Sequence, residues 1–169
     1  VFSITRVQID DFASGSYNNF PLTDGIVYWN EDMPSFSSDL NALNPYDQPD
    51  SELIEDYNLI GWSQDVDGDG EITIIDPDNI AEYQVGLSSH AQLVIDDLNR
   101  IFLVYSSVTE TYVNYTGDQN YRHIWARGSM DGGVSWGNFV DLHSNIIYSF
   151  DENVFPSVAP ASDGNIYFY

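Results

Sequence analysis

Hydrophobic and polar residues alternate in short segments along much of this chain, which is the period of a strand with one buried face. Residues 1–9 alternate in this way, and residues 25–29 (GIVYW) form a short apolar run, so both segments predict strands. Two later segments, 121–128 (YRHIWARG) and 136–142 (WGNFVDL), predict a further pair of strands. The pattern as a whole predicts an all-β protein.

Two segments near the end of the chain share one pattern. Residues 90–104 and 155–169 each read as a strand, a turn with Asp, Asn or Gly, and an aromatic strand. Aligning them places Leu93 opposite Val158 and Leu103 opposite Phe168. The alignment predicts two related hairpins, of which the second unit stops after its first hairpin.

The middle of the chain departs from the strand pattern. Residues 30–50 are rich in Asn, Asp, Ser and Pro and predict an irregular surface connection. Residues 51–62 (SELIEDYNLIGW) predict a helix, and the Asp-Pro pair at 76–77 predicts a short helix over 78–83. The β-branched isoleucines at 72, 74 and 75 equally predict a strand. We therefore expect residues 51–83 to be an insertion in the β structure.

Within this insertion, residues 65–76 (DVDGDGEITIID) carry carboxylates at positions one, three, five, seven and twelve, with glycine at position six. Oxygen ligands at this spacing suit Ca²⁺, and the glycine allows the sharp turn that such loops need. Ile72 is expected to anchor the loop on the protein body. The candidate ligands are Asp65, Asp67, Asp69, Glu71 through its backbone carbonyl, and Asp76. The alternative is a solvated acidic turn.

These twelve residues resemble the calcium loops of dockerin modules, in which Asp replaces the bidentate Glu of an EF-hand at position twelve. The resemblance covers the loop only, because the chain has no second loop of this kind. A single loop with no partner has no evident switching element, so we predict a structural role for the bound calcium.

Residues 129–136 (SMDGGVSW) form a second motif, with Ser129, Asp131, Gly133, Ser135 and Trp136 at its characteristic positions. It resembles the Asp-box, or BNR repeat, of sialidase-like β-propellers. The resemblance implies a hairpin between the third and fourth strands of a four-stranded antiparallel blade. Residues 1–169 would then be a single β-propeller-like region of about two to three blades, part of a larger propeller. The alternative is an ordinary glycine-rich hairpin.

Composition limits the partners. Among 169 residues, 27 acids face four arginines, and the net charge of −23 argues against binding to nucleic acid or to anionic membranes. Cations, neutral glycans and basic proteins are the favoured partners. The chain lacks cysteine, so disulfides are excluded and a bound metal is the expected staple. No apolar run approaches the ~20 residues of a membrane helix, so no direct membrane insertion is expected.

Sialidases of the resembled architecture use three arginines, a Tyr–Glu nucleophile pair and an acid/base Asp. Arg100 lies in a predicted turn, and Arg122 and Arg127 point to opposite faces of one predicted strand. With Arg6 they are the only arginines, so no catalytic residues are predicted in this segment. An aromatic and cationic stripe on one strand face is either a contact surface or packing against a neighbouring blade. It comprises Tyr121, His123, Trp125 and Arg127.

These features predict a secreted or cell-surface, calcium-stabilised module that binds a protein partner or a glycan. The alternative is a fragment of a sialidase-like glycoside hydrolase whose remaining catalytic residues lie beyond Tyr169. The acidic, cysteine-free composition also resembles surface proteins that Bacteroidota-type bacteria export by type IX secretion. That resemblance implies an extracellular or cell-surface location, with outer-membrane secretion or surface machinery as a partner.

Overall fold

The computed structural model describes residues 1–3, 7–11, 13–19, 22–33, 59–75, 83, 85–160, 165 and 167–168. These residues form nine strands in three antiparallel sheets, with orders β1-β4-β5, β2-β3 and β6-β7-β8-β9. The strands are β1 (Phe2–Ser3), β2 (Val7–Asp11), β3 (Ser16–Asn19), β4 (Ile26–Val27), β5 (Leu59–Gly61), β6 (Ser88–Ile95), β7 (Ile101–Val113), β8 (Asn120–Ser129) and β9 (Val140–Asp141). The all-β prediction is confirmed. In the described part of the chain, no helix is long and apolar enough to cross a membrane.

The four-stranded sheet is built around β7, a strand of 13 residues rich in β-branched and aromatic side chains. Its neighbours follow in chain order, and Tyr105 on β7 lies opposite Trp125 on β8. The strand predicted over 121–128 lies within β8. Of the strand predicted over 136–142, only β9 forms, and ahead of it Gly137 donates its N–H to the carbonyl of Gly128 on β8 at 2.8 Å.

The main apolar core lies between the three-stranded and the four-stranded sheets. Ile26 and Ile60 of the first sheet pack against buried residues of β7 and β8, namely Leu103, Tyr105 and Trp125. Gly61 lets the sheets approach, because a Cβ there would lie 3.2 Å from Cδ2 of Leu103 on β7. The hydroxyl of Tyr105 donates to the backbone carbonyl of Trp62 at 2.8 Å, so the buried phenol is satisfied.

The prediction of a helix over 51–62 is wrong at its C-terminal end, because residues 59–61 form β5. Gly61 pairs with Ile26 of β4, and this sheet pairing outweighs the local helical pattern. Residues 51–58 and most of the short helix predicted over 78–83 lie outside the described residues. Residues 72, 74 and 75 do not form the alternative strand. The amides of Thr73 and Ile75 bond instead to side chains of other strands, at 3.2 and 2.9 Å.

The repeat predicted from the sequence has a counterpart in the pairing. Leu93 is the partner of Leu103 across β6 and β7, and Val158 is the partner of Phe168 in an isolated antiparallel bridge. The aligned positions therefore pair in the same way. Gln92 on β6 holds this second segment, since its amide nitrogen donates to the carbonyl of Pro156 at 2.8 Å and its amide oxygen accepts from the N–H of Val158 at 2.9 Å.

Candidate metal centre

The acidic loop, residues 65–75 in the structure, follows β5 and turns at its glycines. Gly68 and Gly70 have φ of 77° and 93°, in the left-handed region that favours glycine. A Cβ at either position would meet nothing within 4 Å, so backbone conformation alone requires glycine there. The predicted turn at position six of the loop is confirmed.

The carboxylate of Asp65 organises this turn. Its Oδ1 accepts the N–H of Gly68 at 2.6 Å and that of Asp69 at 3.2 Å, and its Oδ2 accepts the N–H of Gly70 at 2.8 Å. These backbone hydrogen bonds, the one from Gly70 foremost, lower the pKa of Asp65 below its usual value. The Asp65 carboxylate is therefore favoured in its ionised form, and it accepts hydrogen bonds from three backbone amides of the loop.

Glu110 reaches the same loop from β7. Its side chain is only 6% exposed. One carboxylate oxygen accepts the backbone N–H groups of Val66 and of Asp67, the latter at 3.2 Å, and the other accepts the N–H of Thr73 at 3.2 Å. A buried carboxylate therefore ties the acidic loop to the central strand of the sheet.

The acidic triad, Asp65, Asp67 and Glu110, brings three carboxylates together. One oxygen from each lies within 4.8 Å of the others, a spacing at which they could hold a metal ion. Neither ion pair of the described residues involves the triad. Two like unit charges 4 Å apart repel by about 4 kcal/mol at an effective dielectric constant of 20, so a cation would relieve considerable repulsion.

Of the five predicted ligands, two belong to the acidic triad. Asp65 and Asp67 belong to the triad. Asp69 is exposed and its Oδ1 accepts the N–H of Glu71 at 2.9 Å, and Glu71 is exposed as well. Asp76 lies outside the described residues.

Sequence reasoning missed Glu110, which follows the loop by more than 30 residues. One signal was available, because Glu110 is the single charged residue within the whole of β7. A lone acid in a strand otherwise built for burial needs a partner, since burying an unpaired charge is costly.

Further contacts fix the end of the acidic loop against the sheet. Asn120 on β8 accepts the N–H of Ile75 and donates its amide to the carbonyl of Glu110 at 2.6 Å. The loop isoleucine that packs on the buried pair Leu87 and Val108 is Ile74, whereas the sequence had suggested Ile72 for this anchor. Polar and apolar contacts thus place the loop on the strand that carries Glu110.

The Asp131 turn, residues 129–136, connects β8 and β9, the third and fourth strands of their sheet. Asp131 Oδ1 accepts from the Ser129 hydroxyl at 2.8 Å and the Ser135 N–H at 2.9 Å, while Oδ2 accepts from the Ser135 hydroxyl at 2.5 Å. These bonds lower the pKa of Asp131 to about 2, with the Ser135 hydroxyl making the largest contribution. Gly133 has φ of 95°, and a Cβ there would lie 2.8 Å from Cε1 of Tyr28.

Much of the predicted contact stripe on β8 is buried. His123 and Trp125 are 0% and 7% exposed, so packing accounts for these two positions. The ring nitrogens of His123 lie 2.8 Å from Asp141 Oδ2 and 2.9 Å from the carbonyl oxygen of Ser149. Of the two alternatives for this stripe, packing rather than an exposed contact surface therefore holds at its centre.

The described arginines make separate local contacts. Arg100 pairs with Asp96 at 2.5 Å, four residues away in the same turn. Arg122 is buried and donates to the carbonyls of Gly86 and Leu87 at 2.8 and 3.0 Å. Arg6 lies outside the described residues.

Comparison with protein-family models, with characterised proteins and with solved structures gave no match to this chain.

Proposed function

We propose that this chain is a calcium-stabilised all-β binding module. The observation that supports this most directly is the position of Glu110, a buried carboxylate beside Asp65 and Asp67. Three carboxylates offer a hard, all-oxygen site, which favours Ca²⁺, Mg²⁺ or Mn²⁺ over softer metals. A glycine-containing loop that can adjust its ligands suits Ca²⁺ best, because Ca²⁺ accepts six to eight oxygens in flexible geometry.

The calcium has a structural role in this proposal. The acidic loop contributes Asp65 and Asp67, and the sheet contributes Glu110, so a cation between them joins two parts of the chain that are distant in sequence. Binding to the folded chain alone stabilises it by mass action. With no cysteine available, such a metal takes the part that a disulfide plays elsewhere.

The Asp131 turn supports the proposal that the four-stranded sheet is one blade of an Asp-box β-propeller. Its carboxylate is satisfied within the turn, and it connects the third and fourth strands in chain order. The module is secreted or displayed on a cell surface, where calcium is abundant, and binds a protein or a glycan. Its acidic surface favours neutral or basic partners.

Calorimetric titration with CaCl₂ and thermal melting of the same protein test the calcium site. A free calcium concentration 100-fold above the dissociation constant should raise the melting temperature by about 5–10 °C. Asp67→Asn removes one triad charge and should abolish both the binding heat and the shift. Asp97→Asn removes the same charge from an exposed turn and should leave both unchanged.

Saturable binding that survives Asp67→Asn would place the calcium elsewhere, and no binding at millimolar calcium would reject the proposal. A titration with MgCl₂ separates calcium selectivity from a general attraction of cations to an acidic protein. Equal stabilisation by magnesium would contradict a calcium-adapted site.

A further inference from the structure

An open cleft of about 460 Å³ lies beside the acidic loop. Gln64, Asp65 and Val66 form one part of its lining. The rest comes from β8 and the chain that follows it, and includes three aromatic rings, a guanidinium group and a side-chain amide. These belong to Trp125, Trp136, Phe139, Arg127 and Asn138. We call this feature the Arg127 cleft.

Arg127 is a half-buried cation that no carboxylate pairs with in the described part of the chain. Its Nε donates to the carbonyl of Gly137 at 2.6 Å and its Nη1 to that of Ile60 at 3.1 Å. Its Cζ lies 4.4 Å from the ring centroid of Phe139. Burial lowers the pKa of Arg127, as expected for a charge removed from water with no anion to compensate.

The backbone carbonyls leave part of the hydrogen-bonding capacity of Arg127 unused, because a guanidinium carries five N–H donors. The indole Nε1 atoms of Trp125 and Trp136, two residues of the cleft lining, are buried and have no hydrogen-bond partner among the described residues. The donors available to a ligand are therefore the remaining N–H groups of Arg127, and a carboxylate is the strongest complement to a guanidinium. The aromatic walls favour an apolar body attached to it.

We propose that the Arg127 cleft binds a carboxylate-bearing ligand with an apolar body, and that tight binding requires a divalent cation at the acidic triad. The second part rests on the proposed function. Asp65 belongs to both sites, so the two sites share a side chain. Without a cation, three carboxylates repel an incoming anion, whereas a bound divalent cation removes most of that repulsion.

Loop position provides a second link between the sites. Val66 lines the cleft, and its N–H is held by Glu110, which is also a member of the triad. A cation that fixes Glu110 and Asp65 therefore also fixes one edge of the cleft. Because the linkage is thermodynamic, a ligand in the cleft tightens cation binding by the same factor.

Benzoate is the probe, and benzamide is its neutral isostere. The chain has four tryptophans, whose indole N–H groups give separate signals in a ¹H–¹⁵N spectrum of labelled protein. With calcium present, benzoate should shift the signals of Trp125 and Trp136 saturably and leave that of Trp29 unchanged. Chelating the calcium should weaken benzoate binding about tenfold or more, and benzamide should bind correspondingly weakly.

Two variants complete the test. Asp67 does not line the cleft, so Asp67→Asn leaves its walls intact and should weaken benzoate binding in calcium to the level of the chelated protein. Arg127→Gln removes the cleft cation and should abolish the preference for benzoate over benzamide. The indole signals report folding, so an unfolded Arg127→Gln protein would be recognised and Asp67→Asn would still decide the dependence on the cation.

The results distinguish this proposal from the calcium site on which it rests. Calcium binding with no benzoate shift, or with equal shifts from benzamide, overturns the carboxylate cleft and leaves the calcium module intact. Equal benzoate affinity with and without calcium overturns the linkage. Failure of calcium to bind rejects the proposed function, and benzoate binding to that cation-free protein would then overturn the requirement for a cation.

Discussion

The acidic loop and the Asp131 turn are both short connections of Asp, Gly and Ser or Thr, yet the surroundings of their carboxylates differ. In the Asp131 turn one carboxylate receives hydroxyl and amide donors from the turn itself, and nothing further is needed to balance it. In the acidic loop two carboxylates meet a third that comes from β7.

The difference lies in where the hydrogen-bond donors and the neighbouring charges of each turn come from. Ser129 and Ser135 bracket Asp131 and supply donors within a few residues. The acidic loop has few such neighbours, and its backbone amides bond to its own aspartates and to a carboxylate from the sheet. Three carboxylates that converge, one of them buried, favour a cation, whereas a single carboxylate satisfied within its own turn does not.

Among the variants that test this comparison, Glu110→Gln should cause the largest loss in the free energy of unfolding. The amide nitrogen replaces one of the two oxygens, so it would face either the N–H of Thr73 or the N–H groups of Val66 and Asp67, and leaving such a group unsatisfied costs about 1–3 kcal/mol even in chelator. In calcium at 100-fold its dissociation constant, the variant should lose about 2.7 kcal/mol more, because the cation no longer binds. Urea unfolding with and without calcium measures both losses. Equal losses in the two conditions would contradict the comparison.

Alanine at one left-handed glycine of each turn should separate the two regions next. Gly70→Ala meets open space and should cost only the backbone strain of about 1–2 kcal/mol. Gly133→Ala suffers the same strain and also crowds the ring of Tyr28, which adds about 1–3 kcal/mol.

The same urea experiment ranks the two glycine variants. Gly70→Ala should also weaken calcium binding, while Gly133→Ala should leave it unaltered in calorimetry. A larger loss for Gly70→Ala in chelator would show that the acidic loop is more constrained than its open surroundings indicate.

Asp131→Asn should have a smaller effect, and one that is independent of calcium. The amide nitrogen cannot accept the hydrogen bonds from Ser135 or Ser129, so part of the turn is lost while the fold is kept. Thermal melting should show the same decrease in calcium and in chelator. A decrease confined to calcium would connect Asp131 to the metal and erase the distinction between the two turns.

The smallest effect concerns acid stability. The folded pKa of Asp131, about 2, lies below its ordinary value of 3.8. Protons therefore bind the unfolded chain first, and the stabilisation from this carboxylate is complete above about pH 4 and lost as the pH falls towards 2. Urea unfolding between these pH values should show a shallower decline for Asp131→Asn than for the unaltered chain. Parallel declines would mean that other carboxylates dominate this range.

The elements best predicted from sequence are those whose pattern and surroundings agree. The segment 121–128 alternates, and it became part of β8 between two partners. Residues 59–61 belong to a segment with a helical sequence pattern, but in the fold they lie beside β4 and pair with it as a strand. That partner is more than 30 residues earlier in the chain, and local pattern carries no information about it.

For the same reason, only some residues of the candidate metal centre could be predicted from the sequence. Asp65, Asp67 and the glycine turn are local features, and spacing alone was enough to select them. Glu110 joins them only because β7 passes beneath the loop, and tertiary packing determines that contact. The sequence did mark Glu110 as a lone charge in a long strand, but it did not identify the partner.

Gln92 has a consequence for how the chain behaves among its own copies. β6 lies at the edge of its sheet, and such an edge can recruit a strand from another molecule into a growing aggregate. The side-chain amide of Gln92 imitates a peptide group, since it donates to Pro156 and accepts from Val158. A segment of the same chain is thereby held beside Gln92, so we expect this part of the sheet edge to be less open to intermolecular pairing.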